Sequence, residues 1–258
     1  MHKKYIFADI DGTLIDHSKK EIPKSTLKAL ELAKENGHEI IINTGRPPCL
    51  LYGIDKKLGL DSYIAANGRY GVHHGEVILN KTINKNTIEK VVTYFEKEKI
   101  DLAFEGMYDF KLQSNFDTIY QKFSEHFSLT LPELEPNFYK ENDIYQITLY
   151  YTKPDFKKFE KLFPDLQFAF SCKYGIDVNT KGGLKEEGII AYMNKFDISL
   201  DDIIVIGDGY NDISMFEFAK HSIVMGNADE EVKQYGSYVT DDVSNDGFYK
   251  AMKHYGII

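Results

Sequence analysis

Four apolar residues in a row, Tyr5-Ile6-Phe7-Ala8, are closed at once by the acidic turn Asp9-Ile10-Asp11-Gly12-Thr13. A short continuous apolar run without polar alternation suits a strand buried on both faces of a parallel sheet, and the acidic group then lies at its carboxyl end. A helix follows. Pro23 and Ser25 provide its start, Leu27, Leu30 and Ala33 keep helical spacing, and Gly37 is a C′ stop. Glu39 to Asn43, centred on Ile40-Ile41-Ile42, repeats the apolar strand and ends in Thr44-Gly45-Arg46-Pro47. Strand, helix and strand at this spacing make a βαβ unit.

The same grammar returns late in the chain. A helix over Lys185 to Asn194 precedes the strand Ile203-Ile204-Val205-Ile206 and a second acidic turn, Gly207-Asp208-Gly209-Tyr210-Asn211-Asp212. A helix through Met215 and Ala219 and a strand from Ser222 to Met225 follow. In open α/β sheets ligands bind beyond the carboxyl ends of the strands, so these polar turns can converge from distant parts of the sequence. The stretch between reads differently. Asn86 and Glu89 suggest a cap before a helix carrying Ile88, Val91, Val92 and Phe95; Ile147, Leu149 and Tyr151 alternate like a strand buried on one face; Phe156, Phe159 and Phe163 stripe another helix. The expected architecture is α/β: a doubly wound parallel-sheet (Rossmann-like) core, residues 1–81 and 184–258, with an inserted α+β domain at 82–183.

Bulk properties exclude several functions. Lysine and arginine total 31 against 40 acidic residues, a net charge of −9, and no basic stripe marks a nucleic-acid surface. An acidic substrate must therefore be held by a local positive site. The N-terminal Met1–Ile6 enters a strand-like run with no signal pattern, and nowhere do 18 apolar residues follow one another, so the expectation is a cytoplasmic protein without a membrane partner. With 43% apolar residues the chain should fold without an obligate protein partner. Cys49 and Cys172 stand in no metal-like spacing and read as free thiols. His73 and His74 are adjacent and would face opposite ways in a strand, while the other histidines are scattered, which speaks against a zinc site.

Asp9 and Asp11, two apart in an extended segment, point the same way, and two close carboxylates need a cation between them or a shared proton. Mg2+ suits the need, because it takes carboxylate and carbonyl oxygens and keeps waters that a phosphate can replace. A lone Asp-x-Asp equally serves as a strand terminator. Asp208, Asn211 and Asp212 form a second oxygen-rich turn, also an ordinary loop composition. It lacks the twelve-residue ligand spacing and closing glutamate of a calcium loop. Thr44-Gly45, before a helix expected near Pro47, offers a hydroxyl and backbone N–H groups to an anion. Lys185, after a Gly-Gly pair, can balance phosphate, Asp9 and Asp208. Each of these also reads as a solvated surface residue.

Their joint order decides. Asp-x-Asp-Gly-Thr, Thr-Gly-Arg, Lys and Gly-Asp-Gly-x-Asn-Asp in succession resemble the four motifs of the haloacid dehalogenase superfamily. The mid-chain insertion is similar to that of the Cof-type phosphatases, and the likeness extends to Val224-Met225-Gly226-Asn227-Ala228 and Asp246-Gly247. Two positions depart from the pattern: Asn43 stands where an alanine often precedes Thr-Gly-Arg, and Glu186 where a glycine often follows the lysine.

The resemblance implies a Mg2+-dependent hydrolase that removes phosphate from a small phosphorylated metabolite, sugar phosphates first, through a phosphoaspartyl intermediate on Asp9. By the same token Asp11 is the acid and base; the metal ligands are Asp9, Asp208 and the Asp11 carbonyl; and Ile10 N–H, Thr44, Gly45, Lys185 and Asn211 hold the phosphoryl oxygens. Asp212 orients Lys185 or a metal-bound water, and the inserted cap chooses the leaving group. Tyr108, Phe110, Phe138 and Tyr139 could line that cap, although most aromatics in such a module are core. Two alternatives use similar residues: a phosphotransferase or mutase resembling phosphomannomutase, and a non-enzymatic aspartyl-phosphate receiver, against which the cap and Asp11 both speak. A dinucleotide site is excluded, since no G-x-G-x-x-G follows the first strand.

Overall fold

The computed structural model describes all residues except 1, 17, 20, 52, 128 and 183. Met1, drawn above into the first run, and Gly183, of the pair before Lys185, lie outside the described residues. The chain divides into two compact units, one made of Met1–Gly45, Gly53–Leu79 and Leu184–Ile258, the other of Arg46–Tyr52 and Asn80–Gly183.

In the first unit the apolar runs become β1 (Tyr5–Ala8) and β2 (Glu39–Asn43), joined by α1 (Lys24–Glu35). After α2 (Ile54–Leu58) come β3 (Tyr63–Ala65), β4 (Tyr70–His73) and β5 (Glu76–Asn80). The second unit holds α3 (Lys85–Lys97), β6 (Leu102–Glu105), β7 (Phe110–Leu112), α4 (Ile119–His126), β8 (Glu133–Leu134), β9 (Gln146–Leu149), β10 (Leu166–Cys172) and β11 (Gly175–Thr180). The chain returns to the first unit with α5 (Lys185–Phe196), β12 (Ile203–Gly207), α6 (Ile213–Phe218), β13 (His221–Val224), α7 (Glu230–Lys233), β14 (Tyr238–Val239) and α8 (Gly247–His254).

The strands of the first unit line up as β14-β13-β12-β1-β2-β3-β4-β5, parallel from β14 to β3 and antiparallel at β4. Winding runs one way from β1 through β2 to β3 and the other way from β12 through β13 to β14, so the order reverses between β1 and β12. Crossovers of this kind are right-handed almost without exception, so winding in opposite directions puts helices on both faces, and the crevice at such a switch point is where α/β sheets bind ligands. Every residue of β12 is buried, as are Ile6, Phe7 and Ala8 of β1. Phe7 packs edge-on against Tyr192 of α5, with ring centroids 5.4 Å apart. Two close approaches fix α5. A Cβ on Gly188 would sit 2.5 Å from Ile64 of β3, and Gly68, at φ +82°, would bring one to 2.7 Å of the Leu184 carbonyl oxygen.

The second unit is a six-stranded sheet, β10-β11-β9-β6-β7-β8, antiparallel but for the β7–β8 pair. One face packs Leu102, Phe104, Ile147, Leu149, Ile176 and Val178 against Val91, Val92 and Phe95 of α3. Phe123 of α4 joins Ala103, Leu112 and Tyr150 on the other. β9 is therefore buried on both faces rather than one. Its polar residues, Gln146 and Thr148, are not solvated but donate to the buried carboxylate of Glu105. Phe138 and Tyr139 belong to the core and Tyr108 is exposed.

Local readings shift in four places. Asn84, not Asn86, caps α3, its side chain accepting from the Asn86 N–H. Phe156–Lys161 is a 3-10 segment rather than an α-helix. Ala219 is the C-cap of α6 and lies outside it. No helix starts near Pro47: only a 3-10 turn, Pro48–Leu50, follows, because Pro48 keeps Pro47 extended at ψ 164°. Both cysteines are free, Cys172 buried and Cys49 half-buried, and burial pushes both thiols up. Among the described residues no helix is long and apolar enough to cross a membrane.

Candidate active site

Three chain segments leave the switch point as polar turns. Asp9 follows β1 directly, its N–H bonded to the Ile206 carbonyl of β12 at 2.9 Å, and its side chain is buried. The turn folds back tightly, with the N–H groups of Leu14 and Ile15 both donating to the Ile10 carbonyl. Gly12, at φ +79°, is needed here. A Cβ on it would lie 2.1 Å from Asp208 Oδ2, so only glycine lets the β1 turn approach the β12 turn.

Lys185 opens α5 with its side chain fully buried, and its ammonium is shared between two carboxylates, 2.6 Å from Asp9 Oδ1 and 2.6 Å from Asp212 Oδ1. The other oxygen of Asp212 accepts the backbone N–H groups of Asp208 and Gly209, each at 2.9 Å. Asp212 is thus committed on both oxygens and acts as the anchor of the lysine and of its own turn. Asp208 is positioned from two sides: Thr13 donates to Oδ1 at 2.8 Å and Asn227 to Oδ2 at 3.2 Å. Asn227 also donates to the Gly12 carbonyl and accepts from the Val243 N–H, which ties both acidic turns to a third loop.

Carboxylate oxygens of Asp9, Asp208 and Asp212 lie within 4.8 Å of one another. Burial pushes the Asp9 carboxyl up to about 7; Lys185 opposes that rise, while the charges of Asp212 and Asp11 add to it. Asp208 is driven well above the usual carboxylate range, first by burial and then by Asp9 and Asp212. One lysine among three carboxylates, Asp9 and Asp212 buried and Asp208 partly so, leaves excess negative charge. The donor set is all oxygen; Asp212 spends Oδ1 on the ammonium and Oδ2 on two N–H groups, whereas each Asp208 oxygen accepts a single hydrogen bond, so it is Asp9 and Asp208 that keep lone pairs for a cation.

The remaining sequence-derived positions gather beside this group. Thr44 is buried at the end of β2, its N–H bonded to the Ile64 carbonyl. Gly45 faces two amides, since a Cβ there would lie 3.1 Å from Asn211 Nδ2 and 3.1 Å from Asn67 Oδ1. Ile10 is buried and Asp11 partly so. Asn43 is buried behind Lys185, donating at 3.4 Å to the Lys185 carbonyl, so the larger residue in the alanine position supports the start of α5. Sequence reasoning gave no role to Thr13, Asn67 or Asn227. Asn227 lay in a noted stretch, but which acidic turn it would reach depends on the β13 loop folding back over β1. Asn67 carries a local signal only in being an asparagine before Gly68, a pair suited to the left-handed backbone it adopts at φ 51°.

Similarity to known proteins agrees with this geometry. YkrA of Bacillus subtilis is 30% identical over 267 residues, covering all of both chains. The pyridoxal phosphate phosphatase YbhA of Escherichia coli is 26% identical over 95% of this chain and 96% of its own. Among solved structures, the HAD subclass IIB sugar phosphatase BT4131 superposes with a TM-score of 0.87 at 32% identity, covering 99% of this chain and all of that one. The sequence profile of the haloacid dehalogenase-like hydrolases matches residues 6–252. A match of that extent, over a sheet whose switch point carries Asp9, Lys185 and Asp208 together, places the chain in the haloacid dehalogenase-like hydrolase family.

Proposed function

We propose that this chain is a Mg2+-dependent phosphatase that hydrolyses a small phosphorylated metabolite, with Asp9 as the nucleophile. The observation that carries the reading is the buried Asp9–Lys185–Asp212 bridge with Asp208 beside it, an anion-binding cation and a cation-binding carboxylate pair in one crevice. Asp9 attacks phosphorus and the P–O bond to the alcohol breaks, with Asp11 giving the leaving oxygen its proton. Asp11 then takes a proton from water, whose oxygen displaces Asp9 from phosphorus and releases inorganic phosphate. Lys185, Thr44, Gly45 and Asn211 hold the phosphoryl oxygens through both steps, and Ile10 contributes its N–H. Positioning and charge stabilisation are most of what phosphoryl transfer asks of a protein. Asp9, Asp208 and the Asp11 carbonyl would hold Mg2+, which when bound offsets the negative charge of phosphate and carboxylates alike.

The choice of leaving group is assigned to the inserted domain, residues 82–183. Sugar phosphates and pyridoxal phosphate head the substrate panel, because relatives carry those names. Phosphate release is measured with Mg2+ and with EDTA, for wild type and Asp9→Asn. Turnover that needs the metal and vanishes in the variant is expected. A folded wild type inert toward the whole panel, or an Asp9→Asn as active as wild type, overturns the assignment.

A further inference from the structure

A second set of ligating side chains lies at the opposite end of the same sheet. Glu39 opens β2 level with Tyr5, four residues before Asp9, which places it about 13 Å down the strand from the acidic turn. His73 closes β4, and β3 runs between the two strands. Strand alternation would send His74 to the other face. Its φ of +46° takes it out of the strand instead, and its ring folds back to 4.2 Å from that of His73, centroid to centroid. One carboxylate oxygen of Glu39 and one ring nitrogen from each histidine lie within 4.8 Å of one another.

Each of the three is held from behind. Asp61 Oδ1 is 2.9 Å from His74 Nδ1, which leaves Nε2 facing Glu39 Oε1 at 3.3 Å. Lys3 binds the far oxygen of Glu39, Oε2, at 3.1 Å and leaves Oε1 turned inward. Tyr192 Oη, 2.6 Å from His73 Nδ1, and Ser62 Oγ, 3.4 Å from the same atom, fix that ring. A carboxylate behind a histidine is the usual support of a metal-bound imidazole. Two ligand atoms on a tetrahedral zinc, each at about 2.0–2.1 Å, stand about 3.3 Å apart, which is the Glu39–His74 separation.

We propose that Glu39, His73 and His74 bind one divalent transition-metal ion of the zinc class, clamping the start of β2 to the end of β4. Two imidazoles and a carboxylate favour zinc, cobalt or nickel over magnesium, which prefers oxygen donors, so the site is chemically separate from the carboxylate pair of Asp9 and Asp208. Asp61 and Lys3 are positioning residues. Three protein ligands leave a fourth position for water.

The test uses the full chain without a histidine tag, stripped of metal, in an Asp208→Asn background that disables the carboxylate site. Zn2+ is titrated calorimetrically and Co2+ by visible absorption. One equivalent of Zn2+ is expected, with the intense bands of tetrahedral Co2+ and a rise in the unfolding midpoint. Adding His74→Asn, which tolerates the left-handed backbone, should weaken Zn2+ binding at least about 100-fold and abolish the midpoint shift, and Asp61→Asn should weaken it about 10–100-fold. Glu39→Gln serves as a second ligand variant. In the otherwise native chain, His74→Asn should leave Mg2+-supported phosphate release unchanged, so this site and the proposed activity stand or fall separately. No Zn2+ bound by Asp208→Asn, or equal affinity after both His74→Asn and Glu39→Gln, would reduce the cluster to an ion-pair network and overturn the proposal.

Discussion

Lys185 is the one cation in direct contact with Asp9 and Asp212 among the described residues, and replacing it with methionine tests whether the site is an electrostatic unit. Each 2.6 Å pair is worth about 6 kcal/mol at an effective dielectric of ~20, and two carboxylates up to 4.8 Å apart repel by about 3–4 kcal/mol on the same scale. The desolvation that the buried lysine no longer suffers offsets much of this, and removing one partner of a buried pair costs about 3–5 kcal/mol. Protonation limits the damage. Lys185 holds the Asp9 carboxyl down, so in Lys185→Met that carboxyl rises above its present value of about 7. An acid whose folded pKa is raised stabilises the fold below its unfolded pKa and loses that contribution as pH rises through the folded one. The deficit of Lys185→Met should therefore be small below about pH 7, where Asp9 is protonated in both folded proteins, and grow as pH rises from 7 toward the higher carboxyl pKa of the variant.

Urea unfolding in EDTA at several pH values measures it. The double variant Lys185→Met, Asp212→Asn should be more stable than Lys185→Met alone, because a neutral amide oxygen can still accept the Asp208 and Gly209 N–H groups while the repulsion is gone. Additivity should fail by about 2 kcal/mol or more. A deficit below about 1 kcal/mol, or one independent of pH, would refute the idea that Lys185 neutralises two buried charges.

Three other perturbations probe neighbouring parts. Gly12→Ala should abolish phosphate release, since its Cβ would displace Asp208, and should cost about 1–2 kcal/mol for the left-handed backbone alone; retained turnover would refute the close approach of the two turns. Asn227→Ala frees Asp208 Oδ2, the Gly12 carbonyl and the Val243 N–H together, so half-saturation by Mg2+ should shift upward about 10–100-fold, and an unchanged Mg2+ titration would deny Asn227 its positioning role. In the second unit burial, followed by the charge of Asp177, raises Glu105 from its ordinary 4.5 to about 8, so its contribution to stability is full below about pH 4.5 and lost as pH climbs through 8, at most about 5 kcal/mol in all. Glu105→Gln should flatten the fall in stability between pH 5 and 8, and identical pH profiles for both proteins would show that Glu105 is not the buried acid it is taken for.

The core strands were legible because burial on both faces leaves little choice of residue: Tyr5–Ala8, Ile40-Ile41-Ile42 and Ile203–Ile206 are apolar without alternation and each leads into a polar or glycine turn. The inserted unit was harder. Thr148 and Gln146 alternate with Ile147 and Leu149 as solvent-facing residues would, and only Glu105, about forty residues away, turns them inward. No local period carries that information. The same holds for His74, whose direction is set by a single backbone angle at a turn.

What the sequence spacing does carry is the division of labour at the switch point. Asp9 and Asp208 come from neighbouring parallel strands, so the β1–β12 register, with Ala8 opposite Ile206, brings the two turns level. Lys185 enters from α5 on one side, and α5 is seated by Gly188 against Ile64 of β3, two strands from β1. Shifting any of these pairings by one residue would move a carboxylate about 3.3 Å, longer than the 2.6 Å bonds that hold the bridge, and would break it. The chemistry therefore depends on sheet register as strictly as on the identity of the reacting groups. Substitutions along the buried faces of β1 and β12 that preserve charge but slip the strands should be as damaging to turnover as removal of Lys185 itself.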